Sequence, residues 1–163
     1  LSLIIYLKNY YKLSDTRIFA CDSFKGFPEP QKIDYFTKKH RAADWSHTNL
    51  SYVKENLIRF GNTKEQINEV IFVSGYFKNT LRDLNTEKIS ILHLDCDLYD
   101  SYKQCFDNLS NEISKDGIIV LDEYYKYNEL NIFPGAVAAT NEYIIENNLK
   151  VSFINNKGYI LKK

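Results

Sequence analysis

Methionine is absent from these 163 residues, and the chain opens on Leu1. Translation starts on methionine, so the sequence is read as less than a complete translation product. Cysteine is scarce. Cys21, Cys96 and Cys105 show no metal-ligand spacing, and two of them lie inside apolar runs, where a thiol behaves as a small hydrophobe. An odd count without a framework implies a reducing compartment, and a cytoplasmic location is expected. Net charge is missing too: 21 Lys and Arg balance 21 Asp and Glu, without the basic excess of a nucleic-acid binder. The nearest thing to a basic patch, Lys38-Lys39-His40-Arg41, is expected to be a solvated loop face rather than an anion site. No apolar run approaches the ~18 residues needed to span a membrane. The apolar opening LSLIIYLKNYYKL lacks a basic leader and a small-residue cleavage site, so a signal peptide is not expected. Internal repeats and low-complexity tracts are absent as well.

What is present suits one folded domain, residues 1–163, with 44% hydrophobic and 26% charged residues. Leu3, Leu7, Tyr10 and Tyr11 recur at helical spacing. Arg17 to Cys21 is a short apolar run closed by Asp22, which predicts a buried strand. A loop-rich stretch with Pro28 and Pro30 follows, to about Trp45. Thr48 or Ser46 is predicted to cap a helix whose Leu50, Val53, Leu57 and Phe60 share one face, with Gly61 as its stop. Val70 to Val73 predicts a second strand, followed by Gly75 and a short helix near Thr80 to Asn85. Ile89 to Leu94 predicts a third strand. Ser101 to Ile113 predicts a helix with Cys105, Phe106, Leu109 and Ile113 facing inward. Gly117 to Leu121 predicts a fourth strand that ends at Asp122, and Pro134 starts a helix with Val137, Tyr143 and Ile144. Val151 to Ile154 and Tyr159 to Leu161 close the chain as a hairpin across Asn155-Asn156-Lys157-Gly158. Strands that alternate with helices, each a continuous apolar run, imply an α/β fold. The expected sheet is mostly parallel, covered on both faces, with a C-terminal antiparallel hairpin at its edge.

Three of the four predicted parallel strands end in acid, at Asp22, Asp95 and Asp122. In an open α/β sheet ligands bind at the carboxyl ends of the strands. Helix capping explains any one of these residues. Three on one rim repel one another, so a cation is expected among them. Oxygen ligands without His or Cys select a hard ion, Mg²⁺ before Zn²⁺. Asp95, Asp122 and Glu123 are the candidate ligands, and Asp97, returned by strand alternation to the side of Asp95, is the candidate general base. His93 has the same parity and is expected to be a packed core histidine. Asp22, ending an early strand, is a candidate for ribose hydroxyls of a nucleoside cofactor. Asp100 is expected to start the next helix.

Four ordered segments resemble the macrocin O-methyltransferase family. They are Asp22-Ser23-Phe24-Lys25-Gly26-Phe27-Pro28, Gly75-Tyr76-Phe77-Lys78-Asn79-Thr80-Leu81, Leu94-Asp95-Cys96-Asp97-Leu98-Tyr99-Asp100-Ser101, and Asp122-Glu123-Tyr124 with Phe133-Pro134-Gly135-Ala136. The resemblance implies a Rossmann-like class I methyltransferase fold. It also implies an S-adenosylmethionine- and Mg²⁺-dependent enzyme that methylates hydroxyls of sugars, sugar-containing natural products or polysaccharide precursors. It makes Asp95, Asp122 and Glu123 the metal ligands and Asp97 the base, and it places Asp22, Ser23, Phe24, Gly75 and Tyr76 beside the adenosine. A small-molecule or glycan substrate and a homodimer are implied, with neither nucleic acid nor membrane as partner. Two departures stand out. Glu123 replaces the family's usual Asp, and the strand and acidic, glycine-containing loop that precede the first helix in the family are not in this sequence. The domain is therefore expected to be N-terminally truncated, without the strand that normally lies at the sheet's centre.

The expected chemistry is direct methyl transfer to a metal-held hydroxyl, with residues from about 29 to 46 as a lid. A D-x-D glycosyltransferase would also use Asp95 and Asp97, but leaves the Asp122-Glu123 pair and the Asp22 segment unexplained. A D-x-D phosphatase fits less well, because Leu98 and Tyr99 stand where Thr or Val is expected. A non-catalytic remnant acting as a binding or assembly module is the reading from another class.

Overall fold

The structure is a computed structural model and describes residues 1–35, 42, 44–127 and 132–162. It divides into two compact units, Leu1–Pro28 with Ala43–Thr80, and Glu29–Ala42 with Leu81–Lys163.

In the first unit, helices α1 (Ser2–Tyr10), α2 (Leu50–Arg59), α3 (Lys64–Asn68) and α4 (Phe77–Thr80) accompany strands β1 (Ile18–Asp22) and β2 (Val70–Ser74). The strands pair in parallel, from Ile18 opposite Val70 to Asp22 opposite Ser74, so both chains leave the ladder at the same end. Ile5, Ile18, Leu57, Ile67 and Val70 form the core. Local details differ from expectation. Asn49 caps α2, its side chain accepting from the Tyr52 N–H, in place of Thr48 or Ser46. Phe60 lies past the helix end and is exposed. The short helix expected near Thr80 to Asn85 lies earlier, at Phe77–Thr80. Helix α3 was not expected, although Thr63 and Gln66 close a capping box around its first turn.

In the second unit, β3 (Ile89–Leu94) leads to α5 (Tyr99–Leu109), a 3₁₀ turn at Ser110–Glu112, and β4 (Ile113–Tyr125). Helix α6 (Pro134–Glu146) and strands β5 (Val151–Ile154) and β6 (Lys157–Leu161) follow. The sheet order is β3-β4-β6-β5, parallel between β3 and β4 and antiparallel elsewhere. Asn155 and Asn156, with φ of 47° and 70°, make the tight turn of the closing hairpin. The core is built on Leu94, Ile119, Leu121 and Ile160 from the strands, and on Phe106 and Tyr143 from α5 and α6. The two rings stack with centroids 4.1 Å apart and planes 5° from parallel.

The strands thus form two ladders, a parallel pair and a mixed four-stranded sheet, where one mostly parallel sheet was expected. Apolar content makes a segment want burial, but its ladder partner depends on which backbone edge arrives beside it. The fourth predicted strand is also longer. It runs 13 residues, through Asp122 and Glu123, where an end at Asp122 was expected. The predicted helix from Ser101 stops at Leu109, and Ile113 opens β4 rather than extending the inner face of the helix. Ile91 is 62% exposed, and His93, of the same parity, is also exposed, so the expected core histidine is not found. The Lys38 to Arg41 patch and the middle of the expected lid lie outside the described residues.

Candidate functional site

The acid cluster belongs to the second unit. Strand β3 ends at Leu94, so Asp95, Cys96 and Asp97 lie in a turn and not on the alternating strand the sequence suggested. Leu98 N–H donates to the Cys96 carbonyl at 2.7 Å, closing a three-residue turn, and Asp97 sits at φ +64°. That reversal brings Asp97 back beside Asp95. On β4, alternation puts Leu121 and Glu123 on the buried face and sends Asp122 to the other. Asp95, Asp97 and Glu123 consequently offer carboxylate oxygens within 4.8 Å of one another.

Asp122 is engaged elsewhere. Its carboxylate lies 2.8 Å from the Lys157 ammonium. That ammonium also donates to the Asp122 carbonyl at 2.5 Å and to the Tyr125 hydroxyl at 2.8 Å. Of the three expected ligands, the structure brings Asp95 and Glu123 together, adds the expected base Asp97, and holds Asp122 on Lys157. Two consecutive residues of one extended strand point to opposite faces, which is why the acidic pair splits.

Charge explains the chemistry of the cluster. Burial raises the Glu123 carboxyl; the bond from Tyr102 lowers it, while the charges of Asp97, Asp95 and Asp122 raise it, to about 8 overall. The Tyr102 hydroxyl donates to Glu123 Oε2. Burial and the Glu123 charge push that phenol well above its ordinary value. Among the described residues, Glu123 Oε1 has no hydrogen-bond partner although it is buried. A buried acceptor without a donor costs free energy, and a cluster of three carboxylates that includes this residue fits a hard divalent cation. The residues present therefore suit Mg²⁺, with Asp95 and Glu123 as the natural holders. For Lys157, burial pulls the pKa down, but the bonds to Asp122 and Tyr125 outweigh it and the net direction is upward.

The expected cofactor residues belong to the first unit, where the β1–β2 pairing gathers them. The Gly75 N–H donates to the Asp22 carbonyl at 2.9 Å, joining the two loops. The Asp22 carboxylate accepts from Phe24 N–H at 2.6 Å, an Asx turn that opens the loop; no helix follows there, so Asp22 is not a helix cap. Ser23 Oγ donates to the Gly26 carbonyl at 2.7 Å and accepts from Lys25 N–H at 3.0 Å, and Phe24 takes φ +51°. Tyr76 reaches the Phe27 carbonyl with its hydroxyl at 3.5 Å. At φ +146° Gly75 occupies backbone space that side-chain-bearing residues rarely adopt, and a Cβ there would press on Thr80 at 2.8 Å. Asp100 lies in the first turn of α5, as expected, and accepts from Gln31 Nε2 at 2.6 Å.

Sequence reasoning missed Tyr102 and Lys157. Tyr102 shares the helical face of Cys105, Phe106 and Leu109, and an inward tyrosine needs a partner for its hydroxyl. Lys157 offered no such signal, because its contact with Asp122 spans a hairpin.

The fold of this chain is also seen in a solved methyltransferase. The structure of the O-methyltransferase NovP superposes with a TM-score of 0.80 at 22% identity, over 99% of this chain and 66% of that one. The sequence profile of the family described as macrocin-O-methyltransferase (TylF) matches residues 3–157, and the chain belongs to that family. Two curated relatives are an 8-demethyl-8-(2,3-dimethoxy-alpha-L-rhamnosyl)-tetracenomycin-C 4'-O-methyltransferase of Streptomyces olivaceus and a demethyldecarbamoylnovobiocin O-methyltransferase of Streptomyces niveus. The first is 30% identical over 112 residues, 66% of this chain and 42% of the relative. The second is 28% identical over 115 residues, 70% of this chain and 44% of the relative. The chain thus spans less than half the length of these relatives. Among the described residues, no helix is long and apolar enough to cross a membrane.

Proposed function

We propose that this chain serves an S-adenosylmethionine- and Mg²⁺-dependent O-methyltransferase. Its acceptor would be a hydroxyl of a sugar, in a glycosylated natural product or polysaccharide precursor. The observation that carries the reading is the Asp95, Asp97 and Glu123 cluster with its unpartnered buried oxygen, in a chain of this family. The relatives' names support the acceptor class, since one of them is named for a rhamnosyl-bearing substrate. Residues 3–157 match one family profile, which supports a single methyltransferase domain, and the family resemblance supports a homodimer.

In this reading Asp95 and Glu123 would hold the ion, and Asp122, on the opposite face of β4, would join them only if the end of that strand turned over. Mg²⁺ supplies Lewis acidity that lowers the pKa of an acceptor hydroxyl. Asp97 takes the hydroxyl proton on a carboxylate oxygen as the C–O bond forms and the S–CH₃ bond breaks. Tyr102 fixes Glu123 through Oε2, which leaves Oε1 available to the ion. Asp22, Ser23, Phe24, Gly75 and Tyr76 border the adenosine, a role favoured by the way the β1–β2 ladder gathers their loops at one end.

Two measurements test this. Calorimetry should show binding of S-adenosylmethionine and none of a nucleotide sugar; the reverse result would overturn the methyltransferase reading in favour of a glycosyltransferase. In the intact protein, Asp97→Asn should cut methyl transfer by about 10²–10⁴-fold while leaving acceptor binding nearly intact. Undiminished transfer would remove Asp97 from the chemistry.

A further inference from the structure

Asp34 is a carboxylate in an unexpected place. It is 2% exposed, at the end of the short 3₁₀ turn Lys32–Asp34. Its Oδ2 accepts from Gln31 N–H at 2.8 Å within that turn. Its Oδ1 accepts from Tyr99 N–H, also at 2.8 Å, across 65 positions of sequence. Tyr99 is the first residue of α5, and Leu98, at that helix's N-cap, supplies no side-chain cap. Asp34 therefore does from a distant loop what a local Ser or Asp does in most helices.

Three further features tie this bond to the acid cluster. Tyr99 lies two residues after Asp97, whose left-handed φ of +64° is uncommon for any residue with a side chain. Such a conformation persists only when its surroundings over-determine it. The turn is held on one side by Leu98 N–H on the Cys96 carbonyl and on the other by Asp34 on Tyr99 N–H. Gly135, in the first turn of α6, supplies the room. A Cβ at that position would overlap the Asp34 carboxylate and come within 2.9 Å of the Tyr99 nitrogen. Gln31 adds a second tie, from its side-chain amide to Asp100 at 2.6 Å.

We propose that Asp34 is a positioning residue for the acid cluster. Its carboxylate, admitted by the missing side chain of Gly135, locks the Cys96-to-Tyr99 turn and so sets where Asp97 presents its own carboxylate. The lock stands on the geometry alone; only its consequence for metal binding rests on the function proposed above.

The test uses Asp34→Ala, Asp34→Asn and Gly135→Ala, with two readouts on the full chain. Amide hydrogen exchange at Tyr99 reads the lock, and electron paramagnetic resonance of added Mn²⁺ reads the cluster. Asp34→Ala and Gly135→Ala should lose at least about tenfold of the protection at Tyr99 relative to amides at the C-terminal end of α6, and Asp34→Asn, with one acceptor oxygen for two amides, should lose protection at Gln31 or at Tyr99. Mn²⁺ should bind about tenfold more weakly, the usual size of the loss when a group that orients a metal ligand is removed. A purely structural role would lower protection everywhere in parallel. Should the two alanine variants fail to fold, Asp34→Asn, which keeps the volume but has an acceptor for only one of the two amides, is read at both Gln31 and Tyr99 together with Mn²⁺ affinity. Unchanged exchange at Tyr99 in the alanine variants, unchanged exchange at both Gln31 and Tyr99 in Asp34→Asn, or Mn²⁺ held as tightly as by the wild type, overturns the proposal. Loss of Tyr99 protection in a chain whose wild type binds no Mn²⁺ supports the lock and overturns the metal reading instead.

Discussion

Glu123 makes stability of the metal-free chain depend on pH in an unusual direction. Its carboxyl is raised from 4.5 to about 8, chiefly by burial. A raised acid keeps its proton longer in the folded state than in the unfolded one. Between these two values the folded chain binds the extra proton, so stability falls as pH rises and levels off above about pH 8. At 1.36 kcal/mol per pKa unit, this shift corresponds to on the order of 4 kcal/mol lost across that window. For a chain of this length the loss lowers the melting temperature by on the order of 10 °C. Mg²⁺ should work against it, because the ion stabilises the ionised form. At a hundred times its dissociation constant it returns about 2.7 kcal/mol. Thermal denaturation in chelator from pH 5 to 8.5, repeated with Mg²⁺, measures both effects. Glu123→Gln imitates the protonated carboxyl, so it should flatten the profile and abolish the Mg²⁺ response. A wild-type melting temperature that is flat or rising from pH 5 to 8 in chelator would refute this account of the cluster. A Gln variant as pH-sensitive as the wild type would do the same.

Further expectations concern single contacts. Lys157→Ala should cost no more than about 1 kcal/mol, because the ion pair with Asp122 is more than a third exposed on both sides. The same change should leave Mn²⁺ binding nearly unchanged, because Asp122 stays on the face of β4 opposite Glu123; clearly stronger binding would show that Asp122 reaches the ion once freed. Phe106→Ala removes a buried ring stacked on Tyr143 and should cost about 3–5 kcal/mol in urea denaturation. Gly75→Ala forces a Cβ onto Thr80 at φ +146° and should cost about 1–3 kcal/mol. Calorimetry should also show it weakening S-adenosylmethionine binding, and full-strength binding would detach Gly75 from the cofactor site.

Much of the local structure was legible in sequence. Val70 to Val73 and Ile89 to Leu94 are β-branched and aliphatic runs too short for helices, and both are strands. Pro134 opens α6, where its fixed φ and missing N–H cost nothing. Helix α3 was legible as well, through the Thr63 and Gln66 box, but its five residues carry too little periodicity to draw notice. The site was half legible. Asp95 and Asp97 do meet, but through a turn centred on a left-handed residue rather than through strand alternation. The split between Asp122 and Glu123 follows from alternation only once β4 is known to continue to Tyr125.

The sequence by itself determined the elements, the family and the acids available to the chemistry, because propensity, apolar period and motif spacing are local properties of the chain. Tertiary structure alone decided which acids converge. The buried face of β4 selects Glu123, Lys157 returns across a hairpin to hold Asp122, and Asp34 crosses 65 positions to reach the Tyr99 amide. Each of these depends on where a distant backbone arrives, and local sequence carries no record of that.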